Sequence, residues 1–145
     1  MGLFRAIDSA ASGMTAERLR MDVISNNIAN ANTTRTAEGG PYRRQMVVFE
    51  PRSEQTSFGQ VLSRQMVETG DGVRVTGIIK DNAPLKLMYD PHHPDANRDG
   101  YVEMPNVNIV SEMVDMITAS RAYEANVAAV NAAKSMALKA LEIGK

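Results

Sequence analysis

Asp95, Asn97, Asp99 and Gly100 are the residues whose types and spacing come nearest to a cation site. Oxygen-bearing side chains at alternate positions, followed by a glycine turn, match the first half of an EF-hand loop, where such oxygens wrap calcium. The twelfth position of that loop calls for a bidentate glutamate, and here it is Asn106. No helical pattern precedes the loop, and Pro94 adjoins it. A surface turn, in which Asp and Asn bond to nearby backbone, is the plainer reading. His92 and His93 are adjacent, so they do not share a helix face as zinc ligands spaced i, i+4 do. The chain has no cysteine, which excludes disulfides and thiolate chemistry. It also lacks a glycine-rich phosphate loop and a G-x-S-x-G elbow. The expectation is a non-enzyme with no catalytic residue, metal site or cofactor. Arg35, Arg43, Arg44 and Arg52 form a modest basic cluster, read first as a solvated or salt-bridged strand edge and second as a partner contact.

Composition narrows the field further. At 145 residues the chain suits one ordinary domain, and its net charge of −1 lacks the basic face that nucleic-acid binding needs. Aromatic residues make up only 5%, which is thin for a conventional core, while methionines number 10. No apolar run approaches the ~18 residues of a membrane-spanning helix. The opening Met1–Asp8 meets charge too early for a signal-peptide apolar core, and it carries Ala6 where a myristoylation signal wants Ser or Thr. Taken alone, these features describe a cytosolic protein.

The elements that must carry any function lie at the two ends. After Pro105 there is no further proline, and the only glycine is Gly144. Steps of four and three then pick out Ile109, Met113, Met116, Ser120, Tyr123, Val127, Val130, Lys134, Ala137 and Leu141, all apolar except Ser120 and Lys134. That spacing keeps one stripe on one side of a helix, as a coiled-coil seam requires. Asn106 and Asn108 are candidate N-caps, and Glu112 and Asp115 put negative charge in the early turns. Such a helix spans roughly 54 Å, too long for a compact domain of about 30 Å, so it must project and its stripe must be covered. A second pattern runs through Leu3, Ile7, Ala10, Met14, Glu17, Met21, Ile24 and Ile28, weakened slightly at Gly13. It runs into Asn26, Asn27, Asn30 and Asn32, whose side chains compete for backbone hydrogen bonds and fray or end the helix.

The fold expected is mainly α with a small β insert, its long N- and C-terminal helices paired as a coiled coil. The divisions are a terminal helix over 1–32, a β-rich or extended middle over 33–105, and a terminal helix over 106–145. In the middle, Tyr42–Phe49, Gly72–Lys80 and Leu85–Tyr89 read as strands and Val61–Glu68 is ambiguous. Residues from Asp90 to Pro105 read as an extended loop and turn. The seams have few large side chains, so a lone helix pair would be marginal. Completion by other subunits is expected.

At this point the residues resemble a family. Asn26-Asn27-Ile28-Ala29-Asn30-Ala31-Asn32, ahead of Pro41-Tyr42-Arg43-Arg44, is similar to the opening signature of bacterial flagellar rod and hook proteins. Ser120-Arg121-Ala122-Tyr123-Glu124-Ala125-Asn126 resembles their closing S-R-x-Y-x-x-N helix. Asp90-Pro91, His93-Pro94, Gly100-Tyr101-Val102 and Met104-Pro105-Asn106-Val107 resemble one proximal-rod member in particular. The likeness covers essentially the whole chain. One departure is that the usual Thr-x-Gly-Tyr is spread out through Thr34 to Tyr42.

The resemblance implies a structural subunit of the proximal rod that assembles helically as a torque-transmitting shaft. The terminal helices would form an inner coiled-coil layer, ordering as they join neighbours, with the middle facing outward. Implied partners are other rod subunits, the adaptor joining rod to ring, and the flagellar type III export apparatus. Export without a cleaved signal would place the chain in the basal-body rod, crossing the cell envelope with no membrane span of its own. The residues alone also allow a cytosolic coiled-coil adaptor, folded in isolation.

Overall fold

The computed structural model describes residues 2–52 and 72–143. The ambiguous Val61–Glu68 segment therefore lies outside the described residues, as do Gly144 and the side chain of Leu3. In chain order the elements are α1 (Gly2–Ala29), β1 (Gln45–Pro51), β2 (Val73–Lys80), β3 (Lys86–Tyr89), β4 (Tyr101–Met104) and α2 (Ile109–Ile143). The two long helices pack together, with short antiparallel strands supplied by the middle of the chain.

Both helices stop and start for local reasons. After α1 the asparagines turn the chain: Asn30 Nδ2 donates to the Asn26 carbonyl at 2.9 Å, and Thr33 N donates to the Asn30 carbonyl at 3.1 Å. The following excursion closes on itself. Thr36 N donates to the Gly40 carbonyl at 2.9 Å and Tyr42 N returns to the Thr33 carbonyl at 3.0 Å, which defines the path of the spread-out Thr34–Tyr42 segment. Helix α2 begins on Asn108, whose Oδ1 accepts from Val110 N at 3.1 Å, the orphan donor that an N-cap side chain satisfies. At about 1.5 Å per residue, the 35 residues of α2 extend roughly 52 Å.

The chain gathers into two compact units, and both helices contribute to each. The first draws on Met1–Leu19, Val48–Gly77 and Ser120–Lys145. In it Gly13 lies against Asn126: a Cβ there would stand 2.8 Å from Asn126 Nδ2. The glycine that weakens α1 by propensity thus lets α2 approach. Ser12 Oγ accepts from Val73 N at 3.0 Å, tying β2 to α1. Gly72 precedes it with φ +95°, and a Cβ there would meet Ser12 Oγ and, at 3.2 Å, the Ser9 backbone. Gly72→Ala is therefore expected to cost about 2 kcal/mol, from a left-handed φ combined with a clash against Ser12 Oγ and a tight approach to the Ser9 backbone. Urea unfolding followed by circular dichroism checks this; a loss under about 0.5 kcal/mol would contradict the packing.

The second unit draws on Arg20–Val47 and Ile78–Ala119. Strands β3 and β4 pair antiparallel, with Lys86 opposite Met104 and Tyr89 opposite Tyr101. The two tyrosine rings meet edge to face at 5.2 Å. Val102 and Pro105 are buried, and Ala31, Tyr42 and Val107 form a small apolar cluster. Tyr101–Met104 corrects the sequence expectation of a loop and turn from Asp90 to Pro105. Four residues are too few to show alternation, and their partner strand supplies the register. β1 and β2 also pair. Arg52 N donates to the Gly72 carbonyl at one end, and Asp81 N donates to the Arg44 carbonyl at the other, so the strands run antiparallel.

Candidate assembly interface

Asn27 sits at the centre of a buried polar node in the second unit. It is 1% exposed, and its amide uses its full hydrogen-bonding capacity. Nδ2 donates to the Gln45 carbonyl and to Glu112 Oε2, each at 2.9 Å. Oδ1 accepts from Gln45 N and from the Tyr42 hydroxyl, again at 2.9 Å each. Glu112 is fully buried, and its other oxygen pairs with Arg44 Nε. Arg44 spreads its fork to Asp115 at 3.1 Å, while Asp115 also lies 4.0 Å from Arg20. Four parts of the sequence thus meet: α1, the Tyr42 loop, the start of β1, and α2 itself. Asn106 completes the arrangement, its Oδ1 accepting from Arg44 N at 2.8 Å and its Nδ2 donating to the Asp81 carbonyl at 3.2 Å.

The node can hold geometry but offers no nucleophile or open ligand position. A charge this buried is tolerable only because Arg44 and Asn27 both address it. Burial, and secondarily the Glu112 carboxylate, raise the Tyr42 phenol above its ordinary value of 10. A raised folded-state value gives stability that is complete below pH ~10 and is lost as pH climbs through the folded value. Tyr42→Phe should flatten this alkaline loss. Parallel unfolding curves for both proteins between roughly pH 9 and 11 would refute it.

The asparagine motif divides by role. Asn27 is the node, whereas Asn26 and Asn30 bond to each other on the surface. Arg43 reaches the Asp81 and Ala83 carbonyls at 3.5 Å, and Arg52 pairs with Asp8 at 3.2 Å. Arg35 lies 4.0 Å from Asp95, so three of the four arginines of the basic cluster are ion-paired within the chain and Arg43 bonds to carbonyls. Gly100 is the buried turn before Tyr101. Tyr123 and Asn126 are half-buried, Ser120 likewise, and Arg121 is exposed. The turn at Asp95–Asp99 spends its oxygens locally. Asn97 Oδ1 accepts from Asp99 N and Tyr101 N, and Asp95 Oδ2 accepts from the Thr34 hydroxyl at 2.8 Å.

Of the stripe on α1, Ile24 is buried and Ile7, Met14, Met21 and Ile28 are half-buried. On α2 the residues that turn inward follow a slightly different four-and-three walk, through Glu112, Met116, Ala119, Tyr123, Asn126 and Val130 to Ala133. Met116, Tyr123 and Val130 belong to both walks, and Val127 is half-buried beside them. Ile109, Met113 and Leu141 are exposed at 44%, 55% and 71%. Val110, Val114 and Ile117 join the first two at 71%, 58% and 55%, so the start of α2 carries a continuous outward apolar face. Sequence reasoning missed Glu112 as a buried group and Ala119, 0% exposed, as a contact. The signal for both was there: each falls four or three residues from Met116.

Two family models match the chain at its ends. One, described as flagella basal body rod protein, matches residues 7–35; the other, the C-terminal part of flagellar basal body rod FlgEFG proteins, matches residues 98–143. The class these ends define is the flagellar basal-body rod protein, built around the paired helices described above. Over its full length the chain is 55% identical to the flagellar basal-body rod protein FlgC of Borreliella burgdorferi, covering 99% of this chain and 98% of that one. It is 48% identical to FlgC of Bacillus subtilis and 41% identical to FlgC of Salmonella typhimurium, in each case across 100% of both chains. The chain belongs to the FlgC family of flagellar basal-body rod proteins. It is a structural subunit of the basal-body rod, where it assembles with other rod components, and not an enzyme. Among the described residues no helix is long and apolar enough to cross a membrane.

Proposed function

We propose that the chain builds the proximal rod by stacking helically through its terminal helices, transmitting torque as a rigid shaft. The helices over residues 1–32 and 106–145 pair as a coiled coil in the inner layer, and residues 33–105 face outward. Ile7, Met14, Met21, Ile24 and Ile28 with Met116, Tyr123, Val127 and Val130 serve the seam within the chain, while Ile109, Met113 and Leu141 serve contacts with neighbours. The motif positions Asn27, Tyr42, Asn106, Tyr123 and Asn126 hold the two helices and the loop in register.

The supporting observation is the outward apolar face at the start of α2. A helix apolar on several sides is ordinarily buried, yet Val110 and Val114 lie largely in water in the single chain. Contiguous exposed apolar surface marks an interaction site. Neighbouring rod subunits and the adaptor joining rod to ring are the partners. The chain reaches them through the flagellar type III export apparatus, without a cleaved signal, and resides in the part of the basal body that crosses the envelope. The absence of cysteine suits passage through a narrow channel.

Limited proteolysis of the purified monomer, with fragments mapped by mass spectrometry, tests this. Cuts are expected first in residues 1–32 and 106–145, since a marginal seam in the folded monomer opens locally before the strands do and tightens when partners join. Helices in the monomer as resistant as the strands would contradict assembly-coupled tightening and favour a pre-folded adaptor.

A further inference from the structure

Among the described residues the two helices each carry a largely exposed outward stripe, with Asp8 on that of α1 ion-paired to Arg52. On α1 it follows the four-and-three walk through Phe4, Asp8, Thr15, Arg18, Asp22 and Ala29, all exposed. On α2 it runs through Val110, Val114, Ile117, Arg121, Glu124 and Leu138, also all exposed. Arg18, Asp22, Arg121 and Glu124 make no ion pair with any described residue. Read from N- to C-terminus, each stripe presents a cation and then an anion: Arg18 then Asp22, and Arg121 then Glu124.

We infer that the outer stripe of α1 in one copy docks antiparallel on the outer stripe of α2 in a second copy of this chain. This deepens the rod proposal above and rests on it. The charge order selects the direction. Antiparallel packing sets Arg18 against Glu124 and Asp22 against Arg121 together, whereas parallel packing at the same height opposes like charges. The same register places Phe4, 72% exposed, against Leu138, 53% exposed. It also sets Val114 against Ala29, where a small side chain allows close approach. Pairing α1 with a second α1 would also match the charges, but it leaves Phe4 facing nothing. Pairing α2 with a second α2 sets Val114 opposite Asn131. Both of those contacts are two-fold and close after one dimer, whereas α1 on α2 runs head to tail and propagates.

The absence of cysteine makes a direct test possible. Two differently tagged chains, one with Phe4→Cys and the other with Leu138→Cys, are expressed together, and isolated basal bodies are oxidised. A mixed dimer carrying both tags is expected as the main cross-linked product, and the pair Asp22→Cys with Arg121→Cys should behave alike. Basal bodies that contain both chains of either pair but yield no mixed dimer, or that link them to a different protein, overturn the contact and leave the rod proposal standing. Absence of the tagged unsubstituted chain from basal bodies would overturn the rod proposal itself. As a second readout, Asp22→Arg should lower incorporation at least tenfold and Arg121→Asp in the same chain should restore it. Normal incorporation of Asp22→Arg, or failure of the restoration, also overturns the contact.

Discussion

Replacing Arg44 with Met is expected to destabilise the folded chain by about 3–5 kcal/mol, the usual cost of removing one partner from a buried ion pair. Glu112 has 1% of its side chain exposed and would be left with only the Asn27 amide. One neutral donor does not offset the desolvation of a carboxylate. Asp115 loses the same arginine but is 37% exposed, so water takes over and its share is small. Adding Glu112→Leu to Arg44→Met should then recover part of the loss, because the buried charge is gone while one Asn27 N–H is left without its acceptor. Urea unfolding of the single and double variants measures both steps. A single-variant loss below about 1 kcal/mol would show that Glu112 does not depend on Arg44, and a double variant no better than the single would show that the node does more than neutralise a charge.

Substituting Asp for both Val114 and Ile117 should have the opposite profile. These side chains are 58% and 55% exposed, so the single chain should lose no more than about 0.5 kcal/mol per site. Burying two unpaired carboxylates against a neighbour is far more costly. Rods should be absent and motility lost while the purified monomer keeps its unfolding curve. Motile cells with intact rods would remove the outward face of α2 from the assembly. A monomer that unfolds early would instead put these residues in the chain's own core. The two experiments together separate what holds the chain together from what joins it to others.

Much of the architecture was legible in the residues alone. Four-and-three spacing is a property of local sequence, and a helix 35 residues long needs only an unbroken run of helix formers and a cap. The asparagine end of α1, Asn108 at the start of α2 and three of the four described strands follow from similarly local chemistry. The outward and inward sides of α2 were not separable in that way. Periodicity favours the bulkiest apolar residue at each step, and so it points to Ile109 and Met113. Two helices in close contact need small or matched side chains, and so the structure turns Ala119, Ala133 and Asn126 inward instead.

The polar node shows the same division more sharply. Glu112 near a helix start reads from sequence as a surface charge favoured by the helix dipole. Arg44 reads as one of several basic residues beside a strand. Sequence separations of 68 residues to Arg44 and 85 to Asn27 put these partners beyond any local pattern. Sequence by itself determined the helices and the turns, because those depend on neighbours along the chain. Only the tertiary structure decided which stripe turns inward and that a carboxylate lies at the centre, because burial and pairing depend on what the fold brings near.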